Sequence, residues 1–478
     1  MSAPTNSRFP IPGVAWHRSC VQAIAVNIGK LWETCGSAIV TYPTAVSTPI
    51  PAVAESSNLA RVLFASSVGT IIEWYDFLIY GTAAALIFNK LFFPAADPTL
   101  GTLAALGSAA VGFLARPFGG AVFGFMGDRL GRKSMLLMSL LLMGVGTFAI
   151  GLLPTYQQIG IWAPILLVLL RIVQGIGLGG EWGGAALMVL EHSPRHRRGL
   201  YGSLVQVGFP LGLILSTAVF WAVSSLPEDA LMSWGWRVPF LASIVLVGLG
   251  SFVRMRITES PVFEEMKANN EIAANPLKEV FTRHRKSFLV AIGLKLCEVS
   301  WVYLLTVFLV VYATTHLGLP KKAMLNAIFI AAVIEVFIMP LFGLLADRIG
   351  RRPLFFIGTG FTVLFAYPLF WMVDTRDPVM IVTAISLALI LGQGMMFGIE
   401  ATYFPELFGA RARYTGASFG FQVAAAIGGG LTPLAATLLV EKLGGTAGVS
   451  WLLIGVAVIT FVAALFARET RHTSISQA

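Results

Sequence analysis

The chain has 478 residues, 56% of them hydrophobic and only 12% charged, with a mean hydropathy of +0.79. A water-soluble domain carries about twice that charged fraction, and apolar runs of about 20 residues, long enough to cross a bilayer, recur from end to end. The net charge of +9 sits in short basic clusters between those runs, which orients a membrane protein and argues against a nucleic-acid surface.

Taken in chain order, residues 1–56 contain Pro, Ser and Thr, are not apolar enough to span, and lack a convincing signal-peptide core and cleavage site. Val21, Ile24, Ile28 and Leu31 would share one face of an interfacial helix. A disordered tail, or a start codon assigned too far upstream, is the preferred reading. Twelve spans follow, expected near 62–88, 102–126, 134–153, 162–189, 200–225, 238–255, 287–314, 323–346, 354–373, 379–404, 413–440 and 449–467.

The expected fold class is therefore all-α: a polytopic membrane protein with twelve transmembrane helices in two pseudo-symmetric six-helix halves. The expected organisation is a tail (1–56), a first half (57–256), a polar middle loop (257–286), a second half (287–468) and a short tail (469–478). Loops after even-numbered spans hold Arg129, Arg132, Lys133, Arg195, Arg197, Arg198, Arg348, Arg351 and Arg352. The opposite loops hold only Lys90, Arg237, Lys321, Lys322, Arg376 and Lys442. The positive-inside rule then places the first set of loops and both termini in the cytoplasm.

Two features repeat. GFMGDRLGRK (124–133) follows the second span and GLLADRIGRR (343–352) follows the eighth. Asp347 lies 219 residues after Asp128, and the same offset aligns Gln174 with Gln393 and Glu181 with Glu400. Several matches at one offset are the mark of a duplicated transporter architecture. An Asp at a helix end followed by clustered Arg can make charge-assisted hydrogen bonds to neighbouring helix ends, while the preceding glycine permits close approach. Gly124, Asp128, Arg129, Arg132 and Glu191 in one half, with Gly343, Asp347, Arg348, Arg351 and Glu406 in the other, are the expected cytoplasmic gate. The competing reading confines them to topology and folding.

Charges inside the apolar runs are Glu73, Asp76, Arg116, Arg171, Glu181, Lys295, Glu298, Glu335 and Glu400. Each would cost at least about 2.5–3.5 kcal/mol at a lipid-exposed helix centre, so each must pair or face a cavity. Glu73, Asp76 and Tyr80 fall at i, i+3 and i+7; Arg171, Gln174 and Glu181 share a face; Lys295 and Glu298 are i, i+3.

A carboxylate substrate needs a fixed cation. Arg171 is the first expectation, then Lys295, then Arg116, with Gln174, Gln393, Tyr80 and Trp301 as further substrate contacts. No histidine lies in the apolar runs, so proton coupling falls to carboxylates: Glu73, Asp76, Glu298 and Glu400. Either Glu73 and Asp76 share the proton, or one anchors Arg171 and the other titrates. Glu181 is expected to tie helices together. Arg116 and Glu335, again 219 apart, would form a cross-half bridge or be neutralised each within its own half. No metal or cofactor is implied, since Cys20, Cys35 and Cys297 are scattered, and no nucleophile–base pair suggests an enzyme.

The two G-x-x-x-D-R-x-G-R-[R/K] copies resemble the signature of the major facilitator superfamily. EWYDFLIYG, ARPFGG, LRIVQGIGLGGEWGGAA, SWGWRVPF and ESPVFE resemble its metabolite:proton symporter branch. LCEVSWVYLLTVF, HLGLP and ARYTGASFGFQVAAAIGGGLTP resemble the bacterial shikimate transporters within it. The shikimate pattern carries a Gln near the position of Glu400 and an Asp at that of Glu73, where this chain departs.

The resemblance implies a cavity lined by the first, fourth, seventh and tenth spans. It also implies proton-coupled uptake of a small organic acid by alternating access, in a monomer of the bacterial inner membrane. Its partners would be the substrate, protons and the lipid bilayer, with no nucleic acid. Export by the same superfamily and an osmoregulated proline/betaine-type symporter are the alternatives.

Overall fold

In the computed structural model the described residues are 52–94 and 98–473. They contain twelve helices long and apolar enough to cross a membrane, and no strand. The helices are α1 Leu59–Ala83, α2 Leu103–Leu130, α3 Arg132–Leu152, α4 Trp162–His192, α5 Arg195–Val223, α6 Arg237–Met255, α7 Arg285–Thr315, α8 Lys321–Ile349, α9 Arg352–Asp374, α10 Pro378–Glu406, α11 Ala410–Leu443 and α12 Ala447–Phe466. The expectations for residues 1–51 lie outside the described residues. The loops after even-numbered helices share one side, here the basic face.

Two boundaries move, for the same reason. The two D-R-x-G-R motifs are not loops: Asp128 and Asp347 end α2 and α8, while Arg132 and Arg352 open α3 and α9. Gly131 alone separates α2 from α3, and Gly350 with Arg351 separates α8 from α9; the two glycines lie at φ +112° and +101° with ψ 154° and 170°. That region of backbone space is open essentially to glycine alone. The middle loop also carries structure. Pro261–Ala268 is capped by Ser260 and Pro276–Arg283 by Asn275, each with a proline in its first turn.

Helix burial follows composition. α7 and α1 are the most buried, and α6 and α12 the least. The outer helices present Val245, Phe337, Leu364 and Phe466 outward, which in a bilayer meet hydrocarbon. Glycines let α2 and α4 touch backbone to backbone: a Cβ on Gly119 would lie 2.0 Å from the Ile176 carbonyl oxygen, and one on Gly175 2.1 Å from that of Gly112. The glycines of GIGLGG thus serve packing.

The halves meet along two pseudo-symmetric pairs, α2 against α11 and α8 against α5. A π-helical segment extends α1 at Ala84–Phe88, and another interrupts α7 at Leu304–Phe308, at nearly the 219-residue offset; a third, Ala388–Gly394, interrupts α10. Such segments widen a helix locally and gather at functional sites.

Candidate substrate cavity and basic-face gate

Three polar clusters lie buried between the helices. The first begins at Asp76 on α1, whose Oδ2 accepts a 2.9 Å hydrogen bond from Thr147 on α3. Thr147 Oγ1 accepts from Gln174 Nε2, and Gln174 Oε1 accepts from Arg171 Nη1. Arg171 lies over the Tyr80 ring, 3.7 Å from its centroid, and Tyr80 bonds Ser108 at 2.6 Å. A continuous chain therefore joins Asp76 to Arg171 through two neutral side chains.

This geometry replaces the expected anchor. Neither Glu73 nor Asp76 forms an ion pair with Arg171; Glu73 Oε2, Asp76 Oδ1 and Arg171 Nη2 have no hydrogen-bond partner. Arg116 packs over Phe77 at 4.0 Å and Phe113 at 4.4 Å. Among the described residues neither Arg116 nor Arg171 has a carboxylate oxygen within 4.0 Å. The cross-half bridge from Arg116 to Glu335 does not form. Glu335 is fully buried against α10, beside Gly394, with both oxygens unbonded.

The second cluster is centred on Lys295. Its Nζ contacts Glu298 one turn away and Glu400 of α10 at 2.8 Å, and lies 3.8 Å from the Phe421 ring centroid. As the second expected substrate cation Lys295 is thus already engaged by two carboxylates, because α10 brings Glu400 to the α7 face that presents Lys295. Gln393, in the π-helical segment of α10, is buried with its amide facing Glu298.

The third cluster ties helices, as expected of Glu181. Its carboxylate pairs with Arg254 of α6 and accepts from Ser139 of α3 at 2.9 Å. Arg254 had been indistinguishable from loop arginines because it stands in the last turn of its helix.

A narrow cavity of about 40 Å³ lies on the side of these clusters away from the basic face. That is scarcely more than one water, at ~30 Å³. Its wall is built from Phe77 and Gly81 (α1), Phe113 (α2), Arg171 (α4), Thr217 (α5), Tyr303 and Thr306 (α7), and Pro433 (α11). Two aromatic expectations change places. Trp301 does not line it, since its Nε1 donates to Thr362 of α9 at 2.9 Å. Tyr303, two residues on, does line it, stacks edge-on against Phe77 and Phe113, and turns its hydroxyl toward Arg116.

Leu325 borders both this cavity and a wider one of about 430 Å³ at the opposite face, between Lys90, Trp221 and Glu228 of the first half and Lys321 and Lys322 of the second. There Lys90 bonds Glu228 at 2.9 Å and holds its carboxyl below the usual range.

At the basic face the halves are latched twice. Asp128 of α2 accepts from Thr415 N at 2.9 Å, Thr415 Oγ1 at 2.8 Å and Tyr414 N at 3.3 Å, all on α11. Asp347 of α8 accepts from Gly199 N at 2.8 Å and Leu200 N at 3.0 Å at the start of α5. Both aspartates thus receive backbone N–H groups from a partner helix's N-terminus, where the dipole favours an anion.

Behind Asp128, Arg132 lies 3.7 Å from Glu191 and Arg413 3.6 Å from Glu191. Behind Asp347, Arg351 lies 3.4 Å and Arg198 3.9 Å from Glu406. Gly124 and Gly343 sit where a Cβ would meet Thr415 Cα at 2.7 Å and the Gly199 carbonyl at 2.5 Å, so no larger residue fits the interface.

Arg129 and Arg348 do not join the latches. Both are exposed, on the outer side of the helix end that turns the aspartate inward, and Arg129 covers the Phe125 ring. Four contributors escaped sequence reasoning. Arg198 and Arg413 looked like loop charges; their signal was a shared spacing of seven residues from Glu191 and Glu406. Glu259 and Glu469 accept the first backbone N–H groups of α3 and α9, at 3.0 Å from Arg132 N and Arg352 N.

The sequence matches the model of the Major Facilitator Superfamily over residues 66–429. It is 41% identical to the shikimate transporter of Escherichia coli over 420 residues, covering 87% of this chain and 96% of that one. It is 42% identical to the inner membrane metabolite transport protein YhjE of the same organism over 421 residues, covering 87% and 95%. Among solved structures, the proton:xylose symporter XylE bound to 6-bromo-6-deoxy-D-glucose superposes with a TM-score of 0.71 at 18% identity, covering 88% of this chain and 98% of that one. A duplicated six-helix core, a charged cavity between the halves and these matches agree: the chain is a multi-pass membrane transporter of metabolites, not an enzyme, and it belongs to the Major Facilitator Superfamily.

Proposed function

We propose that the protein takes up a small organic acid, shikimate-like or another carboxylate, together with protons across the bacterial inner membrane, with the basic face in the cytoplasm. The observation that carries this reading is Arg171, a buried guanidinium at the cavity wall with no carboxylate counter-ion. A buried cation left unpaired is costly unless something anionic arrives, and a planar fork suits a carboxylate. Arg116 behind Phe77 adds positive potential. Tyr303 and Thr306, both at the cavity wall, supply further polar contacts for a hydroxylated ring.

Proton coupling rests on charge balance. Glu73 and Asp76 lie on the same helix as the cavity wall, and Asp76 is wired to Arg171 through Gln174 and Thr147. An incoming anion makes a nearby carboxylate bind its proton more tightly, and by linkage a bound proton strengthens anion binding to the same degree. Substrate and proton thus load together, the halves rock, and both leave at the other face. The twin aspartate latches close the cytoplasmic side while the site loads.

The test is uptake of labelled shikimate, with a competitor panel of dicarboxylates, 2-oxoacids, aromatic acids and betaines, into proteoliposomes with an imposed pH gradient. Expected are accumulation driven by inward proton flow, collapse with an uncoupler, and at least tenfold lower uptake in Arg171→Gln, partly restored in Arg171→Lys. Uptake indifferent to the gradient would remove proton coupling, and outward substrate movement against inward protons would identify an exporter. A second reading has one specific support. Lys295 with Glu298 and Glu400 leaves a formal surplus of negative charge, which would seat the ammonium of a zwitterion; betaines outcompeting all acids would establish it.

A further inference from the structure

A third cavity, of about 250 Å³, opens at the basic face, apart from the one that Arg171 lines. Its wall joins three separate segments: Arg195 and His196 at the start of α5, Asp347 and Arg351 at the α8–α9 junction, and Arg471 and His472 beyond α12. At ~30 Å³ per water it has room for a hydrated tetrahedral anion. Asp347 supplies its negative charge, but both its oxygens are already taken by Gly199 N and Leu200 N. Asp347 and Glu406 offset Arg351, so the net positive charge of the cavity comes from Arg195 and Arg471.

A buried group also points to a ligand. Arg351 is 1% exposed, and its Nη2 has no hydrogen-bond partner although Nη1 and Nε approach Asp347 and Glu406. The third wall is held in place, since Arg198 Nη1 donates to the Thr473 carbonyl at 3.3 Å and Arg471 N to Glu469 Oε1 at 3.0 Å.

We propose that this cavity is a regulatory phosphate site, occupied by a phosphate group whose oxygens are shared among Arg195, Arg351 and Arg471. Arginine clusters suit phosphate because each fork offers paired donors to its oxygens. Arg195 belongs to the first half of the transporter and Arg351 to the second. The ligand thus binds the state in which Asp347 meets α5 and is lost when the halves part. Any ligand with such a preference shifts the population toward the state it binds. Phosphate at this site holds the basic face closed and slows turnover without entering the cavity that Arg171 lines.

The group can come from free phosphate or from a phospholipid headgroup, and two arms separate these sources. In the first, the full-length protein in phosphatidylcholine nanodiscs is titrated with sodium phosphate at constant ionic strength against chloride, and thermal unfolding is followed. In the second, phosphate is omitted and nanodiscs contain phosphatidylglycerol or cardiolipin. The expected result is a saturable rise in the unfolding temperature in at least one arm. Arg195→Gln and Arg471→Gln should each weaken the apparent affinity at least tenfold, whereas Arg195→Lys should keep part of it. Arg283→Gln, an exposed arginine outside the cavity, should bind as wild type. No saturable shift in either arm, or a shift that survives both glutamine substitutions, overturns the proposal.

Discussion

Single side chains decide which buried charges are committed and which are free to work. Glu181 and Arg254 satisfy one another deep between α3, α4 and α6. Removing one partner of such a pair costs about 3–5 kcal/mol, whereas replacing both with apolar residues of similar volume is near neutral. Glu181→Gln should therefore lower the unfolding temperature sharply, and Glu181→Leu with Arg254→Met should recover most of the loss. Asp76 is different, since it keeps one oxygen unbonded and the other on Thr147. Asp76→Asn should fold and insert normally yet fail to accumulate substrate against its gradient, while retaining exchange of internal for external substrate. Undiminished uphill uptake in that variant would leave Glu73 as the carrier, and Glu73→Gln would then show the loss.

At the scale of elements, the junctions between α2 and α3 and between α8 and α9 are where sequence motif and helix geometry meet. Gly131 and Gly350 take backbone angles reserved for glycine, and a Cβ would lie 2.4 Å from Glu259 Oε2 and 2.6 Å from Glu469 Oε2. Gly131→Ala or Gly350→Ala should each cost about 1–3 kcal/mol, read as a lower unfolding temperature. Gly248→Ala, where a Cβ meets nothing within 4 Å in mid-helix, should be neutral or slightly stabilising. The D-R-x-G-R copies were legible because charges and glycines stand out between apolar runs. Their caps Glu259 and Glu469 were not, since each lies more than 110 residues from the N–H groups it receives.

For the whole molecule, closure of the basic face rests on two equivalent latches, Asp128 on α11 and Asp347 on α5. Each involves hydrogen bonds to a charged group, worth about 1.5–3 kcal/mol apiece, so loss of one bond shifts an open–closed balance roughly tenfold or more. In a background lacking the native cysteines, Ser203→Cys, fully buried beside Gly343, should react slowly with a membrane-permeant maleimide. Asp128→Asn or Asp347→Asn alone should raise its labelling rate roughly tenfold, and the two together further still; an unchanged rate would mean that the latches do not control closure. The same variants should shorten the lifetime of the state that loads substrate and so reduce the apparent affinity for it from the opposite face.

The amino-acid sequence by itself determined the twelve spans, their duplication and the set of charges placed inside the membrane, because hydrocarbon imposes length, apolarity and a reason for each exception. Helical spacing also grouped Lys295 with Glu298 and Arg171 with Gln174, whereas Glu181, set on the face of Arg171, pairs elsewhere with Arg254. Which groups neutralise one another was decided only by the tertiary structure. Helix rotation and depth put Glu400 beside Lys295 and Arg254 beside Glu181, left Arg171 without a carboxylate, and turned Tyr303 rather than Trp301 into the cavity. An ion pair forms over a few ångströms between helices far apart in sequence, and periodicity along one helix carries no record of its neighbour's register.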